Sequence, residues 1–166
     1  DFTATAEKYR AMHADWAQRV NDEAELLDHL QADLVLTDVA YLPLAGAARA
    51  GIPSLSMCSL NWADLFAHFF GHEPWAPQIH REILAAYRAA DCFLRLTPAM
   101  PMHELPGACP VAPVAALGQN RRAELLATLG CAPDERLVLI AFGGFDRDLS
   151  AATWPHTPGV HWLIPQ

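Results

Sequence analysis

Residues 32–58 read ADLVLTDVAYLPLAGAARAGIPSLSMC and have the pattern of a strand, a helix and a second strand. The run ADLVLTDV is apolar and β-branched without alternation, which is typical of a strand buried on both faces of a parallel sheet. We expect this strand over residues 33–38, with Asp38 at its end. Residues 42–50 are rich in alanine and stop at a glycine, which predicts a short helix. The apolar run at 54–58 then predicts the second strand of a βαβ unit.

Helical segments lie on both sides of this unit. Apolar residues at three- and four-residue steps predict one amphipathic helix from about residue 5 to about residue 30. Asn61 is a suitable cap for a helix in NWADLFAHFFG, residues 77–90 predict a further helix, and CFLRL at 92–96 predicts a third strand. Alternating strands and helices predict an α/β fold with a Rossmann-like, mainly parallel sheet and flanking helices. In such sheets ligands bind beyond the carboxyl ends of the strands.

A proline-rich passage divides the chain. Residues 98–118 hold five prolines and show little periodicity, so we expect a connector there. Beyond it, Asn120 precedes the helical pattern RRAELLATLG, ERLVLIAF predicts a strand over 137–142, and VHWLIPQ predicts a last short strand. We expect the strand at 137–142 to join the three earlier strands in the mainly parallel sheet. We assign 1–97 to the later part of a first Rossmann-like domain and 119–166 to the start of a second.

The composition excludes several classes of protein. The chain of 166 residues is 52% hydrophobic and 18% charged, which is too apolar for a disordered protein, and no segment has the roughly 18 uninterrupted apolar residues of a membrane span. The net charge of -8, from 11 basic and 19 acidic residues, argues against nucleic acid as a partner. The four cysteines have no Cys-x-x-Cys spacing. We therefore expect reduced thiols and a cytoplasmic location.

A glycine pair follows the strand predicted in ERLVLIAF. Backbone amides at Gly143 and Gly144 can approach a diphosphate closely, and the start of a helix would add its partial positive charge. A tight turn without any ligand explains the two glycines equally well. The sequence GGFDRD matches neither Gly-x-Gly-x-x-Gly nor the Walker Gly-Lys-Ser/Thr, so we expect no dinucleotide cofactor and no P-loop.

The loops after the first two strands carry the other candidate binding residues. Asp38 ends the first strand, and the loop after the second strand contains Ser59, Asn61, Trp62 and Asp64. An aromatic ring beside polar side chains is suited to stacking on a sugar and hydrogen-bonding it. Helix capping and turn formation are the alternative roles for these polar residues.

Two other kinds of site find little support. His68 and His72 are four residues apart, but we expect Gly71 to end the helix between them, and the pattern is not His-Glu-x-x-His. We therefore predict no metal site. No Gly-x-Ser-x-Gly elbow is present, which argues against an α/β-hydrolase.

Three stretches together resemble a known family. They are residues 32–66, ADLVLTDVAYLPLAGAARAGIPSLSMCSLNWADLF, residues 86–98, AYRAADCFLRLTP, and residues 136–146, RLVLIAFGGFD. This set looks like the middle of a GT-B type glycosyltransferase. It is similar in particular to the glycosyltransferase-like proteins related to the peptidoglycan N-acetylglucosaminyltransferase and to the amino-terminal part of plant-type arabinokinases.

The resemblance implies two Rossmann-like domains facing a cleft, and an inverting, metal-independent transfer of a sugar from a nucleotide diphosphate to an unknown acceptor. Gly143, Gly144 and Phe145 would then contact the donor diphosphate, and the loops after the first two strands would face the acceptor. No catalytic residue is identified, and we expect this chain alone to be an inactive fragment. A non-catalytic sugar-binding, nucleotide-binding or interaction module and a nucleotide-sugar epimerase remain as alternatives, and self-association is left open.

Overall fold

The computed structural model describes residues 1–105, 107–141 and 148–164, except the side chain of Ala152. The chain divides into two compact units, Asp1–Ala115 and Ala116–Gln166. In chain order, the elements of the first unit are α1 Phe2–Ala14, α2 Trp16–His29, β1 Val35–Thr37, α3 Leu42–Ala50, β2 Ser54–Cys58, α4 Trp62–Phe70, α5 Ala76–Arg88, β3 Cys92–Leu96 and β4 Cys109–Val111. Those of the second unit are α6 Arg122–Leu129, β5 Arg136–Leu139, a 3₁₀ turn Ala151–Thr153 and β6 Val160–Leu163.

The first unit is built on a four-stranded parallel sheet in the order β1-β2-β3-β4. Helix α3 connects β1 to β2, and α4 and α5 connect β2 to β3. The predicted fold class, an α/β fold with a parallel sheet and flanking helices, is confirmed. The strands at 54–58 and 92–96 have the expected bounds, whereas β4 lies in the proline-rich passage and was not predicted.

The predicted strand at 137–142 does not join this sheet. Within the described residues, it is the shorter strand β5, Arg136–Leu139, which pairs in parallel with β6 as a separate two-stranded sheet. An apolar run predicts a strand but not its partner, because pairing is decided by contacts distant in sequence. The last short strand expected in VHWLIPQ is confirmed as β6.

The expected single amino-terminal helix is two helices that meet at Asp15. This residue has φ −116° and ψ 36°, outside the helical region, and it ends α1 and begins α2. The break lets the buried His13 ring stack on Trp16, with their centroids 4.8 Å apart. The three- and four-residue spacing of apolar residues continues across Asp15, so this spacing alone could not reveal the break between the two helices.

Strand β1 is buried on one face rather than on two. Val35 and Thr37 are buried, whereas Leu36 between them is 58% exposed. The core lies on the buried side and is formed largely by aromatic and aliphatic side chains that include Leu44, Phe66, Ile83, Tyr87 and Phe93. Among the described residues, no helix is both long enough and apolar enough to cross a membrane.

Candidate functional site

The loops after β1 and β2 come together because these two strands are adjacent and parallel. Thr37 pairs with Ser56 in the register, so both strands end at the same edge of the sheet. The Ser56 hydroxyl donates to the Asp38 carbonyl at 2.9 Å, which fixes the start of the first loop on the second strand. The edge expected to bind ligands in such a sheet is therefore formed by residues 38–42 and 59–62.

The hydroxyl of Tyr87, on α5, forms hydrogen bonds with both of these segments. Its side chain is 1% exposed, and its hydroxyl donates to the Val39 carbonyl while accepting the Trp62 N–H at 3.1 Å. The Trp62 N–H belongs to the first turn of α4 and has no partner within that helix. One buried hydroxyl thus satisfies a backbone group from each loop. Burial raises the pKa of Tyr87, so the hydroxyl stays protonated and can donate.

A cavity of about 390 Å³ opens at this edge. Its volume falls within the range of about 300–1,000 Å³ that is usual for small-molecule sites. Helix α1 provides one wall, the loop after β1 provides another, and Trp62 provides a third. The lining residues are Thr5, Lys8, Tyr9, Met12, Ala40, Tyr41, Leu42 and Trp62. A larger cavity of about 490 Å³ lies among α2, α3 and α5, but none of the strand-end loops lines it. We therefore take the smaller cavity, hereafter the edge cavity, as the candidate site.

A series of hydrogen bonds from Glu82 through His13 holds Tyr41, which lines the edge cavity. The Glu82 carboxylate lies 2.7 Å from His13 Nδ1, and His13 Nε2 lies 3.0 Å from the Tyr41 hydroxyl. Burial lowers the pKa of His13, and the hydrogen bond to Glu82 opposes this shift without cancelling it. Because a carboxylate only accepts, Nδ1–H of the neutral ring donates to Glu82, and Nε2 accepts the Tyr41 hydroxyl proton. Tyr41 is thereby held in one orientation, with a lone pair left to accept a further hydrogen bond.

The edge cavity combines aromatic faces with a few polar groups. Tyr9 and Trp62 offer rings on which a sugar can stack. Lys8 is the single lysine of the chain and is exposed at the rim, where its ammonium can pair with an anionic group. The lining can therefore bind a small polar ligand that has an apolar face.

The structure places Asp38 and Ser59 at the predicted edge. Asp38 is exposed directly after β1. Burial raises the pKa of the Cys58 thiol, and the nearby Asp38 carboxylate raises it further. Ser59 is half-buried, and its carbonyl accepts the Met100 N–H at 2.8 Å. These two residues lie on the correct strand ends, although neither lines the edge cavity.

Of the three remaining residues expected in the second loop, Asn61 is the cap of α4, whereas Trp62 and Asp64 lie within that helix. Asn61 is fully buried and caps α4, with Oδ1 accepting the Asp64 N–H at 2.8 Å. The capping role considered for Asn61 is thus its observed contact. Asp64 lies in the first turn of α4, where a carboxylate is favoured by the helix dipole. Trp62 is 37% exposed and lines the edge cavity.

The predicted donor residues Gly143, Gly144 and Phe145 lie outside the described residues. For the histidine pair, α4 ends at Phe70 with Gly71 as its cap, so His68 is on the helix and His72 lies beyond it.

Sequence reasoning missed the residues of α1 that line the edge cavity and the supporting group of Tyr41, His13 and Glu82. These residues come from three segments that are distant in sequence, and no motif connects them. The single lysine and the three tyrosines of the chain were the sequence features that could have indicated this site. Composition alone could not show that Lys8, Tyr9 and Tyr41 share one cavity.

Comparison with known proteins gives one distant similarity. The L-arabinokinase of Arabidopsis thaliana is 28% identical over 150 residues, which are 87% of this chain and 14% of that protein. The chain therefore spans about a seventh of that relative's length and is distantly related to it. No family model and no solved structure matches the chain.

Proposed function

We propose that this chain belongs to a sugar-active transferase and that its first unit binds a sugar-containing acceptor in the edge cavity. More specifically, we propose a glycosyltransferase of GT-B type that uses a nucleotide diphosphate sugar. The observation that carries the proposal is an aromatic-lined cavity at the edge of a parallel sheet where α/β proteins bind ligands. The distant similarity to a protein named L-arabinokinase supports a sugar as the ligand.

In this proposal Trp62 makes the main contact with the sugar, because its ring is accessible and lines the cavity. The Tyr41 hydroxyl accepts a hydrogen bond from a sugar hydroxyl, since its own proton is directed to His13. Asn61 acts indirectly by fixing the start of α4, from which Trp62 projects. Asp38, Ser59 and Asp64 do not line the cavity, so only an acceptor larger than a monosaccharide would contact them.

The donor is proposed to bind at Gly143, Gly144 and Phe145. No lysine or arginine stands between the strand before these residues and Arg147. A diphosphate there would therefore be held by backbone amides, and a side chain at either glycine would obstruct that approach.

Sugar binding is tested by titrating the chain with L-arabinose, D-galactose and N-acetylglucosamine while recording ligand-observed NMR saturation transfer. We expect at least one sugar to bind and Trp62→Ala to weaken its binding roughly 2- to 10-fold, because stacking on an aromatic ring contributes about 0.5–1.5 kcal/mol. Trp162→Ala is the matched control, since Trp162 is 43% exposed and lies in the other unit. Equal binding by both variants would remove the edge cavity from the proposal.

Donor binding is tested with uridine diphosphate on the wild-type chain and on Gly144→Val. We expect the variant to lose nucleotide affinity while its melting temperature changes little. If the two glycines form only a tight turn, the variant is destabilised and its affinity is unchanged.

Turnover separates the glycosyltransferase from a module that binds without catalysis. Incubation with uridine diphosphate sugars and each bound monosaccharide would release nucleotide if the chain transfers or hydrolyses the donor. Saturable sugar binding without released nucleotide would instead identify the chain as a sugar-binding module, which is consistent with a match to 14% of a larger enzyme.

A further inference from the structure

Three side chains of types that can bind a metal lie close together in the second unit. Ligand atoms of Cys131, Glu135 and His161 all lie within 4.8 Å of one another, and each residue is half-buried. Cys131 follows Gly130, the left-handed residue that ends α6, and Glu135 directly precedes β5. His161 lies on β6 opposite Leu137. The parallel pairing of β5 with β6 therefore places a distant histidine beside a local Cys-x-x-x-Glu turn.

The turn that carries two of these residues is held in place by hydrogen bonds. The Cys131 N–H donates to the Leu126 carbonyl at 2.9 Å, which attaches the turn to α6. One Glu135 carboxylate oxygen accepts the Ala132 N–H at 2.6 Å, and the Arg122 guanidinium donates to the Glu135 carbonyl at 2.6 Å. The positions of the thiol and the carboxylate are thus fixed by the backbone before any ligand binds.

The histidine nitrogen that faces the turn lacks a good partner. His161 Nε2 is covered from solvent and makes no well-directed hydrogen bond with the described residues, although it lies 3.2 Å from Glu135 Oε2. A covered nitrogen without a hydrogen bond costs free energy. A metal ion bound at that nitrogen would remove the cost.

We propose that Cys131, Glu135 and His161 bind a zinc ion. Thiolate sulfur, imidazole nitrogen and carboxylate oxygen are the three ligand types of zinc in proteins, at about 2.0–2.3 Å from the metal. A tetrahedral site with those bond lengths has ligand atoms roughly 3.3–3.8 Å apart. His161 Nε2 and Glu135 Oε2 lie 3.2 Å apart and all three ligand atoms lie within 4.8 Å of one another, which is close to that range, and we expect water to complete the fourth position. Cys131 also lines an open groove of about 470 Å³ with Arg122 and Leu126, which gives the ion a path from solvent.

The ion would compensate for a small core. Among the described residues of the second unit, Leu126 is the only apolar side chain that is buried. A unit of about 50 residues rarely buries enough apolar surface to be stable without a disulfide or a metal. Zinc would connect the turn before β5 to β6, so that binding energy contributes to folding. This site is independent of the proposed sugar-binding function.

The test uses the full 166-residue chain, purified without a polyhistidine tag and washed with chelator. After incubation with zinc and removal of free metal, we expect stoichiometric zinc by elemental analysis. With cobalt(II) as the probe, we expect a thiolate-to-metal band in the near ultraviolet. Zinc should also raise the thermal unfolding midpoint of the second unit.

The ligand variants are Cys131→Ser, Glu135→Gln and His161→Gln, each checked for folding by circular dichroism. Changing a group that only supports a ligand weakens metal binding by about 10–100-fold, so each of these changes should weaken it at least that much. Cys131→Ser should in addition abolish the cobalt-thiolate band. Cys109→Ser is the matched control, because Cys109 is an exposed thiol in the first unit and lies beside Cys92.

Three results would overturn the proposal. The first is no retained zinc in the wild-type chain, and the second is unchanged zinc affinity in a folded Cys131→Ser variant. The third is loss of the cobalt-thiolate band in Cys109→Ser alone, which would assign binding to the first unit. Should Cys131→Ser fail to fold, Glu135→Gln carries the test, since it keeps the thiolate band while lowering affinity.

Discussion

Replacing Tyr87 by phenylalanine removes one oxygen atom and leaves two backbone groups without a partner. The ring of Tyr87 packs against Phe93 and Tyr41 in the core, and phenylalanine keeps those contacts. The Val39 carbonyl and the Trp62 N–H both lose their hydrogen bond to the hydroxyl. The variant therefore tests the hydrogen bonds separately from the packing.

The expected cost follows from the burial of these groups. An unsatisfied buried donor or acceptor costs about 1–3 kcal/mol. Both groups here are only partly buried, so we take the lower limit for each and expect a loss of about 2 kcal/mol in the free energy of unfolding. For a unit of this size that loss corresponds to a fall of roughly 6–10 °C in the melting temperature.

Urea and thermal unfolding measure the loss, and amide hydrogen exchange locates it. The Trp62 amide should exchange at least ~10-fold faster in Tyr87→Phe, because its acceptor is absent. Tyr9→Phe is the matched control, since the Tyr9 ring packs on Phe66 and its hydroxyl makes no hydrogen bond among the described residues. This control variant should lose less than about 0.5 kcal/mol in the free energy of unfolding. Equal losses in the two variants, with unchanged Trp62 exchange, would refute the assigned role of the Tyr87 hydroxyl.

Three further predictions concern the first unit. Burial lowers the pKa of His13 below its usual 6.5, so just below pH 6.5 the unfolded chain binds a proton that the folded chain excludes. The free energy of unfolding should therefore fall as the pH drops through 6.5, and His13→Gln should flatten that dependence in urea titrations. Gly46→Ala should cost about 1–3 kcal/mol by thermal unfolding, because its Cβ would lie 2.9 Å from the Glu23 Cβ. Leu36→Thr should change stability by less than about 0.5 kcal/mol, whereas Val35→Ser, on the buried face of β1, should cost about 1–3 kcal/mol.

Local sequence patterns predicted most elements of the first unit, but they missed β4 and the break between α1 and α2. The apolar runs at 54–58 and 92–96 predicted strands with the observed bounds, because a short apolar run bounded by turn residues usually forms a strand in an α/β protein. The helix stop at Gly51 was equally clear, since that residue adopts φ 72°. Strand partners were less predictable. The unalternated run at β1 predicted burial on two faces, yet only the face of Val35 and Thr37 is covered.

The candidate site was predictable only in part. The positions of the two strand-end loops followed from the parallel topology, whereas Trp62, expected in the second loop, is the first residue of α4 and lines the edge cavity from there. The wall contributed by α1 could not be anticipated, because it depends on how that helix packs after the break at Asp15. The same limit applies to the cluster of Cys131, Glu135 and His161, where pairing of β5 with β6 brings together residues about 30 positions apart in sequence.

Helix α5 controls the shape of the edge cavity without lining it. Glu82 holds His13 of α1 and, through that ring, Tyr41. Tyr87, five residues later on the same helix, holds the loop after β1 and the first turn of α4. All three walls of the cavity are thus fixed by two side chains of one helix. A change at either residue should alter sugar affinity and stability together. A change at Trp62 should alter affinity more than stability, because the residue is 37% exposed and its backbone contact to Tyr87 is retained. This difference separates residues that shape the cavity from those that contact its ligand.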